Sequence, residues 1–139
     1  MVLLAPPGDA AEIDALRRSV GVAEPFHVAP HVTIVPPTNV ADAGVDDVLR
    51  SLRRVAASNQ PVELEIGPAA SFRPETPTLH LAVSGPDIDV LRSMRGHLRT
   101  GPLDRPETWP FHPHATIAEA ADDDMIDAGL IVLRGFRQR

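Results

Sequence analysis

The sequence contains no cysteine, and aromatic side chains make up only 4% of it. Without cysteine the chain forms no disulfide, no thiolate metal site and no cysteine nucleophile. Histidine is then the only side chain whose ordinary pKa lies near neutrality. Any acid/base chemistry near neutral pH therefore has to come from the six histidines.

Long apolar runs are also missing. No stretch approaches the roughly 20 residues that a membrane-spanning helix needs. The N-terminal segment carries Pro6, Pro7 and Asp9 where a secretory signal would need a longer apolar core. We therefore expect a cytoplasmic protein with no membrane partner.

A surplus of basic residues is the third absence. The formal net charge is −6, so the chain lacks the positive charge that holds long nucleic acids through counterion release. A small phosphorylated substrate remains compatible with this charge. The 139 residues, 43% of them hydrophobic, are enough for one domain with a real core.

The sequence does contain one pattern twice. Pro-His-x-Thr-Ile occurs at 30–34 and at 113–117, and Pro-Phe-His precedes each copy, at 25–27 and 110–112. In a strand, alternate side chains share a face, so each motif histidine points the same way as its threonine. Two copies with matching flanks exceed the false-positive rate of a single short motif. We therefore predict two halves of one site.

The hydrophobic periodicity predicts an alternation of strands and helices. The expected elements are a strand at 2–5, a helix at 9–20, a motif strand at 27–35, a helix at 42–58, strands at 62–66 and 78–83, a helix from 86, a second motif strand at 110–117 and a helix at 122–134. Asp122 to Asp124 suit a helix N-terminus better than a metal site. This order indicates an α+β fold with antiparallel sheets in two lobes and helices on their outer faces, and the repeated motif supports a pseudo-twofold arrangement.

On its two His-x-Thr motifs, 114 − 31 = 83 residues apart, the sequence resembles the two-histidine (2H) phosphoesterases. That family includes 2′-5′ RNA ligase-like proteins and cyclic phosphodiesterases. The resemblance implies two pseudo-symmetric lobes around a central cleft. It also implies that His31 and His114 are an acid/base pair and that Thr33 and Thr116 donate to phosphate oxygens. Family members usually continue into a further strand after the last helix. We therefore expect one bilobal domain over residues 1–139 that lacks this strand and keeps an unpaired sheet edge.

The paired motif suits the hydrolysis of a phosphodiester. The reaction takes a proton from water and gives one to the departing ribose oxygen, which one neutral and one protonated imidazole can do together. Threonine hydroxyls can donate to the oxygens where negative charge builds. The hypothesis is a phosphodiesterase without metal or other cofactor, acting on a 2′,3′-cyclic phosphate or a related RNA-end or 2′-5′ phosphodiester. The exact substrate, the ribose oxygen that leaves, and the assignment of acid and base remain open.

Three further residues are candidate substrate contacts. His112 shares the predicted face of the second motif, Trp109 can stack on a base, and Arg73 can pair with a phosphate. Each also has a structural interpretation, as a packed or simply exposed side chain. The other histidines, at 27, 80 and 97, are interpreted as structural.

Two alternatives to a cofactor-free enzyme stay open. Three imidazoles, from His31, His112 and His114, would suit zinc. The chain would otherwise be a non-catalytic module that binds nucleotides or RNA ends.

Overall fold

A computed structural model describes residues 1–22 and 28–138. The strands are β1 (Val2–Leu4), β2 (His31–Thr33), β3 (Glu65–Ser71), β4 (Leu79–Ser84) and β5 (His114–Ala118), and the helices are α1 (Pro7–Ser19), α2 (Asp42–Ala57), α3 (Ile88–Leu98) and α4 (Asp123–Val132). A short 3₁₀ turn, Gly101–Leu103, follows α3. The order agrees with the predicted one, and the α+β class is confirmed. No helix among these residues combines the length and apolarity needed to cross a bilayer.

The strands form one sheet rather than a separate sheet in each lobe, which corrects the sequence-based expectation. The strand order is β1-β2-β5-β4-β3, and every pairing is antiparallel. The two motif strands, β2 and β5, meet at one residue pair, Val32 with Ala115. Both side chains are small and buried, which allows the halves of the sheet to join at this seam.

The sequence repeat is also a repeat in structure. Strand β1 lies beside β2 as β4 lies beside β5. The backbone N–H of Ala5 donates to the Pro30 carbonyl at 2.9 Å, and that of Val83 donates to the Pro113 carbonyl at 3.0 Å. A pseudo-twofold relation between β2 and β5 therefore exchanges β1 with β4 and the first motif with the second.

The helices cover one face of the sheet. Val32 and Leu81 each pair with Ala115, so all three side chains point to the same face. Helices α1 and α4 pack there against one buried cluster, whose members include Ile13, Leu79, Leu81, Ile117 and Ile126. Helices α2 and α3 pack against a second, which includes Val32, Ile34, Val55, Leu91 and Leu98. The opposite face is left for the motif side chains.

Several element boundaries differ from the predicted ones. Strand β2 covers only three residues, and the proposed flank at 25–27 lies outside the described residues. Strand β3 begins at Glu65 rather than at 62, and it extends to Ser71 past a register shift near Gly67, whose φ is +111°. Such an irregularity lets the strand continue where strict alternation of apolar residues has ended.

The helix termini show which capping signals are used. Helix α1 starts at Pro7 rather than at the predicted residue 9, because proline fits the first turn, and Asp9 lies within that turn. At α4 the prediction is confirmed, since the Asp122 side chain accepts a hydrogen bond from the Met125 N–H at 2.7 Å.

The last described residues return to the sheet. Gln138 exchanges two backbone hydrogen bonds with Ile66, at 2.8 and 3.0 Å, and its side-chain amide donates to Asp9 at 2.7 Å. Within the described ranges β1 pairs with β2 alone. Val2 and Leu4 of this edge strand are 45% and 66% exposed.

Candidate functional site

The seam between β2 and β5 brings the two motifs together. Val32 is the residue between His31 and Thr33, and its partner Ala115 is the residue between His114 and Thr116. Extending this antiparallel register by one residue sets His31 opposite Thr116 and Thr33 opposite His114. The four side chains therefore form a compact patch on the face that the helices leave open.

Each motif histidine makes the same local hydrogen bond. Nδ1 of His31 lies 2.8 Å from the Ala29 carbonyl oxygen, and Nδ1 of His114 lies 2.7 Å from the His112 carbonyl oxygen. A carbonyl oxygen only accepts, so Nδ1 carries the hydrogen in both rings. The second nitrogen, Nε2, is then the atom that gains or loses a proton in each half of the site.

The proline of each motif helps to place that carbonyl. Pro30 and Pro113 are both buried, and each separates the histidine from the residue whose carbonyl it uses. A residue that precedes proline is held in extended conformation. The Pro-His dipeptide therefore presets the backbone that fixes the histidine tautomer.

Two arginines, one from each lobe, donate hydrogen bonds to a main-chain carbonyl at the motif of the other lobe. Arg17 of α1 is only 2% exposed, and its Nε and Nη2 donate to the Thr116 carbonyl at 3.2 and 2.9 Å. Arg95, its counterpart in α3, donates from Nη1 to the Ile34 carbonyl. Because β2 and β5 share only one residue pair, these guanidinium groups supply donors beyond the short ladder. Each motif thus accepts a hydrogen bond from a helix of the other lobe.

Acidic partners orient both guanidinium groups. Arg17 pairs with Asp14 at 2.8 Å, and Arg95 pairs with Glu107. The hydrogen bond from Arg95 is the main cause that lowers the pKa of Glu107 below its ordinary value. Arg95 also lies over the ring of Phe111, with its Cζ 4.3 Å from the ring centroid. This packing fixes the segment that leads into β5.

An open cleft of about 480 Å³ lies beside the second motif. Four predicted site residues line it: Thr33, Trp109, His112 and His114. Its remaining walls come from Arg95, Phe111 and the segment around Phe72. Trp109 is 62% exposed at this cleft. The volume and the mixture of apolar and polar walls suit a small organic ligand.

The other predicted residues lie elsewhere around the seam. His31 borders a second cavity of about 480 Å³, which Leu3 and Ile13 also line. Arg73 pairs with Asp123 at 2.8 Å and with Asp127 at 2.5 Å, which raises its pKa. Arg73 is therefore held against α4, and it is not among the residues that line the cleft at His114.

His114 is part of a cluster of three rings. His80 of β4 stacks on Phe72, with 3.9 Å between ring centroids and 19° between planes. Both rings meet His114 in T-shaped geometry, at centroid distances of 5.3 Å from His80 and 4.8 Å from Phe72. His80 is 5% exposed, and burial is the main cause that lowers its pKa to about 4. Positive charge on His114 and His112 contributes to the same shift.

Sequence reasoning missed three of these residues. Arg17 follows Ile13 by four positions, so a cation on the apolar stripe of a helix was the available signal. His80 is directly opposite Thr116 in the ladder, a relation that needs the pairing register. No local pattern marks Arg95, whose partner at Ile34 lies 61 residues away.

The zinc alternative requires at least three ligand side chains placed around one metal ion. Within residues 1–22 and 28–138, no group of three His, Cys, Asp or Glu side chains is arranged to hold a metal ion.

Comparison with known proteins identifies the family. The chain is 27% identical over 111 residues to a protein of Oceanobacillus iheyensis, across 78% of this chain and 64% of that protein. It is 28% identical over 97 residues to a protein of Bacillus pumilus and 27% identical over 97 residues to one of Bacillus licheniformis, across 70% of this chain and 56% of each relative. All three relatives carry the name "Putative phosphoesterase". The chain thus spans less than two thirds of their length.

A family model agrees with these relatives and covers more of the chain. The model described as the 2′-5′ RNA ligase superfamily matches residues 5–138, a range that contains both motifs and all four helices. The chain belongs to the 2′-5′ RNA ligase superfamily, the group of 2H phosphoesterases.

Proposed function

We propose that this protein is a phosphodiesterase that opens a 2′,3′-cyclic phosphate, or cleaves a related RNA-end or 2′-5′ phosphodiester, with His31 and His114 as its acid/base pair. The observation that carries the proposal is the matched geometry of the two histidines. Each donates Nδ1–H to a carbonyl two residues earlier, and the strands that hold them are neighbours. Two equivalent Nε2 atoms on one face are what a reaction with one proton taken and one given requires.

The steps follow from this arrangement. Neutral Nε2 of one histidine takes a proton from water as the water oxygen forms a bond to phosphorus. The bond from phosphorus to one ribose oxygen breaks, and protonated Nε2 of the other histidine gives its proton to that oxygen. The hydroxyls of Thr33 and Thr116 donate to the non-bridging oxygens, on which negative charge increases. The histidines end with their protonation states exchanged, and no metal takes part.

The cleft next to His114 is where the nucleoside part of the substrate is proposed to lie. The exposed ring of Trp109 provides a face on which a base can stack, and such stacking contributes ~1–3 kcal/mol. His112 lines the same cleft, within reach of a ligand bound there. A substrate contact by Arg73 stays a prediction, and it would require Arg73 to leave Asp123 and Asp127.

The test is hydrolysis of the four nucleoside 2′,3′-cyclic phosphates in the presence of a metal chelator, with the monophosphate product identified by ³¹P NMR. Wild-type protein should form a monophosphate. His31→Ala and His114→Ala should each lower turnover by about 10²- to 10⁴-fold, as expected when a general acid or base is lost. The double variant should lose much less than the product of the two effects, because both residues serve one step.

His97→Ala is the matched control, because His97 is exposed on α3 and lines neither of the two cavities. It should keep wild-type turnover. Activity that survives in the double variant, or that depends on added divalent metal, would contradict the two-histidine mechanism. Ligand binding without turnover would favour the non-catalytic alternative.

A further inference from the structure

His80 is a buried titratable side chain that the proposed reaction does not use. It is 5% exposed, and its buried Nδ1 has no hydrogen-bond partner among residues 1–22 and 28–138. Leaving a buried polar nitrogen unpaired is unfavourable, and an apolar residue of similar size would avoid the loss. Core packing alone therefore does not explain why a histidine occupies this position.

The pseudo-twofold relation shows what is special about this position. His80 lies opposite Thr116 in the β4–β5 ladder, and Val2 lies opposite Thr33 in the β1–β2 ladder. Val2 is thus the counterpart of His80, yet it is a half-exposed aliphatic residue. The two motifs are alike in their own residues, but the neighbouring strand places a buried imidazole beside the second motif and a half-exposed valine beside the first.

We propose that His80, backed by Phe72, is a positioning residue that holds the His114 ring in the orientation from which Nδ1 donates to the His112 carbonyl. This inference rests on the proposed function, since it specifies how one of the two proposed catalytic histidines is kept ready. Two rings packed against His114 in T-shaped geometry, at 4.8 and 5.3 Å between centroids, limit its rotation. Among residues 1–22 and 28–138 no ring packs against His31 in this way, and the contact described for its ring is the one from Nδ1 to the Ala29 carbonyl.

A neutral ring is the form that suits this position. The ionisable groups that face His80 are His114 and His112, and each can carry positive charge. A cation at position 80 would repel protonated His114, whereas a neutral imidazole packs against it in either protonation state. The role therefore depends on ring shape and neutrality, and His80 itself takes up no proton during the reaction.

Two substitutions separate positioning from simple packing. His80→Ala removes the ring, and it should lower kcat by about 10- to 100-fold while KM changes by less than about threefold, as expected when a reacting group is misplaced. His80→Phe keeps a neutral ring on Phe72, and it should restore kcat to within about threefold of wild type. His80→Leu, closer in volume, replaces the alanine variant if that one does not fold.

A second measurement does not need activity. Two-bond ¹H–¹⁵N NMR spectra report the tautomer of each histidine. When the ring is neutral, wild type and His80→Phe should show His114 with hydrogen on Nδ1, and His80→Ala should show a mixture of tautomers. His31 should be unchanged in every variant. Val2→Ala is the matched control at the twofold position, and it should leave both histidines and kcat unaltered.

The outcomes distinguish this inference from the proposed function. If wild-type protein hydrolyses no phosphodiester, the proposed function fails, while the tautomer of His114 still tests the positioning role. A folded His80→Ala protein with wild-type kcat and a single Nδ1–H tautomer at His114 would overturn the inference. Equal losses in His80→Ala and Val2→Ala would also overturn it.

Discussion

Acid should destabilise this protein through His80 in particular. In the unfolded chain His80 titrates at its ordinary pKa of 6.5, and in the folded protein burial lowers this pKa to about 4. The folded state therefore binds the proton more weakly than the unfolded state. The contribution of neutral His80 to the free energy of unfolding is fully present above pH 6.5, and it is lost as the pH falls toward 4.

The size of the effect follows from the two pKa values. Their difference, 6.5 − 4, is about 2.5 units, and at 1.36 kcal/mol per unit the free energy of unfolding falls by roughly 3 kcal/mol at the acid limit. At pH 5 the unfolded imidazole is almost fully protonated and the folded one is mostly neutral. The loss between pH 7 and pH 5 is then about 2 kcal/mol, a large part of the stability of an ordinary domain.

Urea unfolding at pH 7, 6 and 5 measures this loss in wild type and in His80→Phe. The two proteins differ only at residue 80, so the difference between the two curves reports the contribution of His80. Between pH 7 and pH 5 the wild type should lose about 2 kcal/mol more than the variant. Parallel curves would show that His80 binds its proton equally in both states, and the argument from burial would be refuted.

Three further predictions follow from other contacts. Gly67→Ala should lower the free energy of unfolding, measured in urea, by about 3 kcal/mol or more, because Gly67 has a φ of +111° and a Cβ would lie 2.2 Å from a backbone oxygen. Gly96→Ala is the control: this residue lies in open space on a helix, so the substitution should stabilise the protein by about 0.5–1 kcal/mol. Arg17→Met should lower the free energy of unfolding by roughly 2–3 kcal/mol, since the Thr116 carbonyl loses two donors, and an unchanged urea midpoint would contradict the bond. Thr33→Val and Thr116→Val should each lower kcat by about 10²- to 10³-fold in the cyclic phosphate assay, and full activity in either would remove that hydroxyl from the site.

The sequence predicted the features that depend on short spacing. The order of strands and helices follows from periodicity over a few residues, and the shared face of each motif pair follows from the alternation of a strand. The Asp122 cap is an equally local signal, and it is confirmed. Resemblance of the two motifs to a known family supplied the rest of the fold class, which the match over residues 5–138 bears out.

What the sequence did not predict depends on contacts between distant residues. The single sheet arises from the Val32–Ala115 pair, and no local pattern specifies which strands become neighbours. Arg17 reaches a carbonyl 99 residues away, and its sequence context shows only a charge beside an apolar stripe. His80 lies on the half-polar face of an ordinary strand pattern, and its role becomes visible only when Phe72 and His114 are placed around it.

The bond from each motif histidine to a main-chain oxygen has a consequence for how this site tolerates mutation. The acceptor belongs to residue 29 in one motif and to residue 112 in the other, and the side chains there, alanine and histidine, are unrelated. A peptide oxygen is present whatever the side chain, so both positions can drift in sequence without disturbing the proton on Nδ1. A change of the side chain at 112, which lines the cleft, would therefore alter that wall and leave the acceptor for Nδ1 of His114 in place.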